Sequence, residues 1–190
     1  DVDDKINKAA KENGESIAVL TKRITQYFHQ DMAQLGNLPP TIEPKATEHI
    51  DDIITLIQKI IANGYAYIAQ GHVIFDVAKL SSLQELPQEL PQELPQELLQ
   101  ELPQELPSAN QGEKPYYYGI LSKKKLQDLQ TGARIATESY KKSALDFVLW
   151  KPASDADDAS SIFASPWGDG RPGWHIECSA MSTKHLGENF

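Results

Sequence analysis

The residues best suited to chemistry lie close together near the end of the chain. Trp174-His175-Ile176-Glu177-Cys178 follows the stretch Ser165-Pro166-Trp167-Gly168-Asp169-Gly170-Arg171-Pro172-Gly173, dense in glycine and proline. Such a stretch predicts a constrained loop leading into a helix from Trp174 to Leu186. The positive end of a helix dipole favours a thiolate, the form of cysteine that binds zinc. Cys178, the only cysteine, falls in that first stretch of helix. It cannot form a disulfide within its own chain. Spacing alone leaves two readings open: a zinc ligand, with His175 as a second donor three residues away, or a small buried apolar side chain. A zinc site needs three or four ligands, and the sequence offers at most two here.

Other titratable residues are more dispersed. Asp1, Asp3 and Asp4 form an acidic cluster, which on its own reads as a solvated helix start. His29, His49, His72 and His185 are scattered and read as surface or half-buried side chains.

Several elements are needed to hold the Trp174–Cys178 segment. An amphipathic helix is predicted from Ser16 to Leu35, with Ile17, Leu20, Ile24, Tyr27, Phe28 and Leu35 on one face. A second helix is predicted from Thr47 to Asn63, where Thr47 caps the first turn. Its isoleucine stripe (Ile50, Ile53, Ile54, Ile57, Ile60 and Ile61) reads as a core face. Tyr65–Ala69 and His72–Val77, separated by Gln70-Gly71, form a hairpin pattern. Ser122–Gln130 reads as a short helix, Asp146–Trp150 as a buried strand, and Ser165–Gly173 as a loop.

Between Gln84 and Pro107 the chain repeats a Gln-Glu-Leu-Pro unit. A proline at every fourth position would cost about 3 kcal/mol each inside a helix, so an extended or disordered surface loop is expected. Its six glutamates carry two-thirds of the formal net charge of −9. The acidity is therefore local and does not argue against a nucleic-acid partner, nor does a basic patch argue for one. No apolar run approaches the roughly 20 residues that cross a bilayer, and no secretory leader opens the chain. A cytoplasmic protein without a membrane partner is expected. The chain starts without methionine and stops abruptly, which reads as a fragment.

The segments Trp174–Met181, Ser165–Gly168 and Gly170–Gly173 together closely resemble the signature of cysteinyl-tRNA synthetases. Asp1–Ile6 resembles the end of that family's Thr-Asp-x-Asp-Asp-Lys segment. Glu12–Ser16, Glu43–Thr47, Gly119–Ser122 and Asp146–Lys151 also match in order. The resemblance implies an α/β fold, part of a Rossmann-type class I synthetase catalytic domain with a connective insertion containing a β-hairpin. It divides the chain into catalytic-domain helices (1–63), the connective insertion (64–150) and a return to the catalytic core (151–190).

For function, the resemblance implies ATP-dependent activation of cysteine (with magnesium) and transfer to tRNA(Cys) by a monomeric enzyme, with zinc as cofactor. Cys178 would be a zinc ligand, while Trp174 and His175 would line the substrate pocket. The remaining ligands and both ATP-handling signatures would lie outside this chain, so the piece alone is expected to be inactive. Two alternatives are a cysteine ligase of thiol-cofactor biosynthesis sharing the fold, and a non-catalytic interaction module.

Overall fold

The structure is a computed structural model, described here for residues 1–81, 118–119, 138–155 and 157–189. The Gln84–Pro107 tract and the expected Ser122–Gln130 helix lie outside those residues.

Helix α1 (Asp4–Asn13) is capped by the Asp3 carboxylate, which accepts from the Lys5 amide at 2.8 Å. It ends at Gly14 in the left-handed conformation, φ 65°, where glycine carries no Cβ penalty. Sequence reading caught only the acidic start of this helix. Helix α2 (Ile17–Gln34) begins at Ser16, whose hydroxyl accepts from the Val19 amide. Of its expected core face, only Ile17 and Leu20 are buried, against Ala10 of α1. Ile24, Tyr27, Phe28 and Leu35 are exposed.

Helix α3 (Ile50–Ala62) starts later than expected. Residues Ala46–Glu48 form a separate 3-10 turn. Thr47 is therefore not the cap: its amide and hydroxyl instead donate to the Asp1 carboxylate at 3.3 and 2.5 Å. The isoleucine stripe does form the core face, with Ile53 and Ile57 fully buried.

Strands β1 (Ala66–Ala69) and β2 (His72–Phe75) make the hairpin, with Ala69 opposite His72. A short helix α4 (Val77–Ser81) follows. Strand β3 (Phe147–Pro152) pairs with β2, and β4 (Gly170–Pro172) pairs with β3. The result is one antiparallel sheet in the order β1-β2-β3-β4. With the helices it gives the mixed α/β composition expected.

Strand β4 lies where a loop was expected, because three residues are too few to carry a periodic signal. Helix α5 (Trp174–Leu186) then packs against α3 and β3. The core joins Ile53 and Ile57 of α3, Val73 of β2, Leu149 and Trp150 of β3, and Ile176 and Ala180 of α5. Burial of each large side chain contributes about 1.5–3 kcal/mol. No helix among the described residues is long and apolar enough to cross a membrane.

Candidate functional site

The site is built where β3, β4 and the start of α5 converge. Trp150 faces Pro172 and Lys151 faces Arg171 across the β3–β4 ladder. After Pro172 the chain turns straight into α5 through Gly173. The Gly173 amide donates to the Leu149 carbonyl at 2.9 Å. A Cβ on Gly173 would collide with the Val148 carbonyl oxygen. Glycine is thus required for the helix start to lie directly on the strand.

Rings extend from the sheet to the helix start in one continuous series. Phe75 stacks on Phe147 at 4.9 Å, Phe147 meets His175 at 4.7 Å, and His175 stacks on Trp174 at 3.9 Å. These separations suit favourable aromatic contact. The outermost ring, Trp174, is 67% exposed. Partial burial lowers the basicity of the His175 imidazole, and the Lys141 cation adds to the effect.

Beside these rings lies a cavity of about 240 Å³, lined by Trp174, His175, Phe147, Lys141, Asp3 and Arg171, among others. The N-terminal segment thus reaches the same place as the helix start, which sequence separation concealed. Asp4 bonds Lys151 at 2.8 Å and pairs with Arg171. Arg171 is buried and also pairs with Asp157 at 2.5 Å. Burial pushes the Asp4 carboxyl upward, but Lys151 and Arg171 outweigh it and hold the group below the usual carboxylate range. Asp157 follows the same pattern, held low by Arg171 and Ser154 against its own burial.

Cys178 is exposed on α5. None of the described residues packs it as a small buried apolar side chain, and among them the sulfur is accessible to a ligand. His175 contacts the rings of both Phe147 and Trp174 and serves as a wall of the cavity. Among the described residues, no group of three or more His, Cys, Asp or Glu converges on one point. An accessible sulfur on a packed helix suits one ligand of a soft-metal site. The other donors would have to come from elsewhere in the protein.

Glu177 was not singled out by sequence reading. Its Oε1 is buried without a hydrogen-bond partner, and it borders a wider groove beside α2. Burial raises its pKa above the ordinary carboxylate value, with Asp3 adding to the effect.

The family described as tRNA synthetases class I (C) catalytic domain matches residues 1–105 and 108–190. A protein named cysteine–tRNA ligase from Methylocella silvestris is 47% identical over 190 residues, covering 100% of this chain and 34% of the relative. Those of the same name from Beijerinckia indica and Rickettsia bellii are 46% and 45% identical, again over the whole chain, which covers 33% and 34% of them. The chain spans about a third of the length of the curated relatives it matches. It belongs to the family of class I (C) tRNA synthetase catalytic domains.

Proposed function

We propose that the full-length protein is a cysteine–tRNA ligase and that this chain supplies part of its amino-acid pocket. The reading rests on one observation. An exposed cysteine stands one helical turn beyond a Trp174–His175 pair that walls a cavity, in a chain of this family. The reaction joins the cysteine carboxylate to ATP, giving the cysteinyl adenylate and releasing pyrophosphate. The acyl group then passes to the terminal ribose of tRNA(Cys), and AMP leaves.

In this reading Cys178 holds zinc together with donors from outside the chain. Bound zinc would take the substrate's soft thiolate in preference to a serine hydroxyl, a discrimination that a small pocket cannot reach by shape alone. Trp174 supplies an apolar wall that excludes water from one side of the substrate. His175, kept neutral by partial burial, fixes the indole in place. Asp3, Lys141 and Arg171 give the cavity both signs of charge, suited to a zwitterionic amino acid.

Residues 1–63 are assigned to the catalytic domain, 64–150 to a connective insertion and 151–190 to the returning core. The first experiment is cysteine-dependent exchange of pyrophosphate into ATP by the full-length protein, with and without tRNA charging. Exchange followed by charging of tRNA(Cys) supports the reading. Exchange with an amino sugar as the only acceptor would replace it with the thiol-cofactor ligase.

A further inference from the structure

Two histidines separated by 136 positions meet in the fold. The Nε2 atoms of His49 and His185 are 2.9 Å apart, and their rings meet edge to face with centroids 5.0 Å apart. His49 is buried just before α3. Its Nδ1 lies 2.7 Å from the Lys45 carbonyl oxygen, to which it must donate. That bond sets the tautomer, so Nε2 presents its lone pair. A backbone carbonyl on the far nitrogen is also the usual outer support of a metal-ligating histidine. His185, in the last turn of α5, is exposed, so a cation from solvent can reach the pair.

We propose that His49 and His185 together chelate one late first-row divalent transition metal, of which Ni²⁺ is representative. Two nitrogens bound to one cation at about 2.0–2.1 Å and at right angles to each other stand about 2.9 Å apart. The observed separation fits that arrangement with a turn of the rings toward a shared point. Imidazole nitrogens suit nickel, copper and zinc, whereas magnesium and calcium prefer oxygen.

The neighbouring carboxylates are engaged elsewhere. Glu48 is held by Lys45 at 3.1 Å and Asp52 by Lys184 at 3.0 Å. Water fills the remaining coordination positions. Without the cation, His185 donates its Nε2 proton to His49. With the cation, that proton moves to Nδ1 of His185, freeing both Nε2 lone pairs. The site is separate from Cys178, which stands two helical turns back along α5, about 10 Å at 1.5 Å per residue. Because the pair exists only in the folded chain, the ion ties the start of α3 to the end of α5 and stabilises the fold by linkage.

The test is titration of Ni²⁺ into the full-length protein carrying Cys178→Ser, which removes the thiol, with Mg²⁺ as control. Calorimetry and thermal unfolding are the readouts. The expected result is a Ni²⁺ site in the Cys178→Ser protein that raises the melting temperature. Adding the exposed substitution His185→Gln should weaken that site by at least about tenfold and abolish the rise. Mg²⁺ should do neither. Ni²⁺ affinity unchanged by His185→Gln overturns the proposal, as does absence of Ni²⁺ binding in the Cys178→Ser protein. Neither result depends on whether the enzyme charges tRNA.

Discussion

The imidazole of His175 stacks on the indole of Trp174 with ring centroids 3.9 Å apart and planes inclined by 27°. Because His175 in turn rests on Phe147, the exposed indole is anchored to the sheet through a second ring. Removing the indole should therefore affect ligand binding more than folding. Trp174→Ala in the full-length protein should change unfolding free energy by no more than about 0.5 kcal/mol. It should lower kcat/KM for cysteine in pyrophosphate exchange by about 10- to 100-fold. Equal activity with and without the indole would remove Trp174 from the pocket.

Burial holds the His175 imidazole below its ordinary pKa of 6.5, and the sign of the consequence follows. Below 6.5 the unfolded chain takes up a proton that the folded ring resists, so acid costs stability. Between the folded value and 6.5 stability should rise with pH, and above 6.5 this contribution should be level. His175→Phe keeps a ring in the stack but cannot titrate. Unfolding measured from pH 5 to 8 should show a shallower slope in that variant only below about 6.5.

Cys178→Ser separates a ligand from a packing role. The side chain is exposed, so in zinc-free protein the melting temperature should barely move, and any drop in the loaded protein should match the stabilisation the ion supplied. Serine remains a neutral hydroxyl near pH 7 and is a poor zinc donor. Zinc content and cysteine activation in the full-length protein should fall together. A variant with stoichiometric zinc and normal discrimination against serine refutes the assignment.

Arg171 is the buried cation between Asp4 and Asp157. Arg171→Ala leaves the Asp157 carboxylate, only 4% exposed, without its counter-charge, and should cost about 3–5 kcal/mol. Asp4 is mostly exposed, so Asp4→Asn should cost no more than about 1 kcal/mol. Both carboxyls are held below 3.8 in the fold. Their contribution is complete above that value and is lost as pH falls through the folded values. Denaturant unfolding of the three proteins from pH 3 to 7 checks both statements.

Gly173→Ala should destabilise by about 1–3 kcal/mol, the usual cost of forcing an extra methyl into packed structure. Here the methyl would strike the Val148 carbonyl, so α5 must lift from β3. The variant should also raise KM for cysteine, because Trp174 is the next residue. An unchanged melting temperature would show that the helix start is not seated on the strand.

Much of this arrangement was legible in the sequence where a repeating pattern spans a whole element. The isoleucines of α3, the hairpin around Gln70-Gly71, the strand at Phe147 and the helix from Trp174 all read correctly. What stayed hidden depends on partners far along the chain. The counter-charges of Asp4 lie at positions 151 and 171, so an ion-pair network looked like a solvated helix start. His49 and His185 looked unrelated for the same reason. Thr47 has the side chain of a helix cap, but it is drawn to Asp1 instead. The apolar face of α2 beyond Leu20 is left more than half exposed by the described residues, and periodicity cannot say what covers a face.

Asp146, almost fully buried, receives hydrogen bonds from the Val77 amide at 3.1 Å, the Tyr67 hydroxyl at 2.8 Å and the Ser143 amide at 3.1 Å. One carboxylate thus cinches the base from which residues 82–137 depart, and the β2–β3 ladder seals it beyond. The chain that leaves after α4 and the chain that returns before β3 are thus handed to the sheet by the same pair of oxygens.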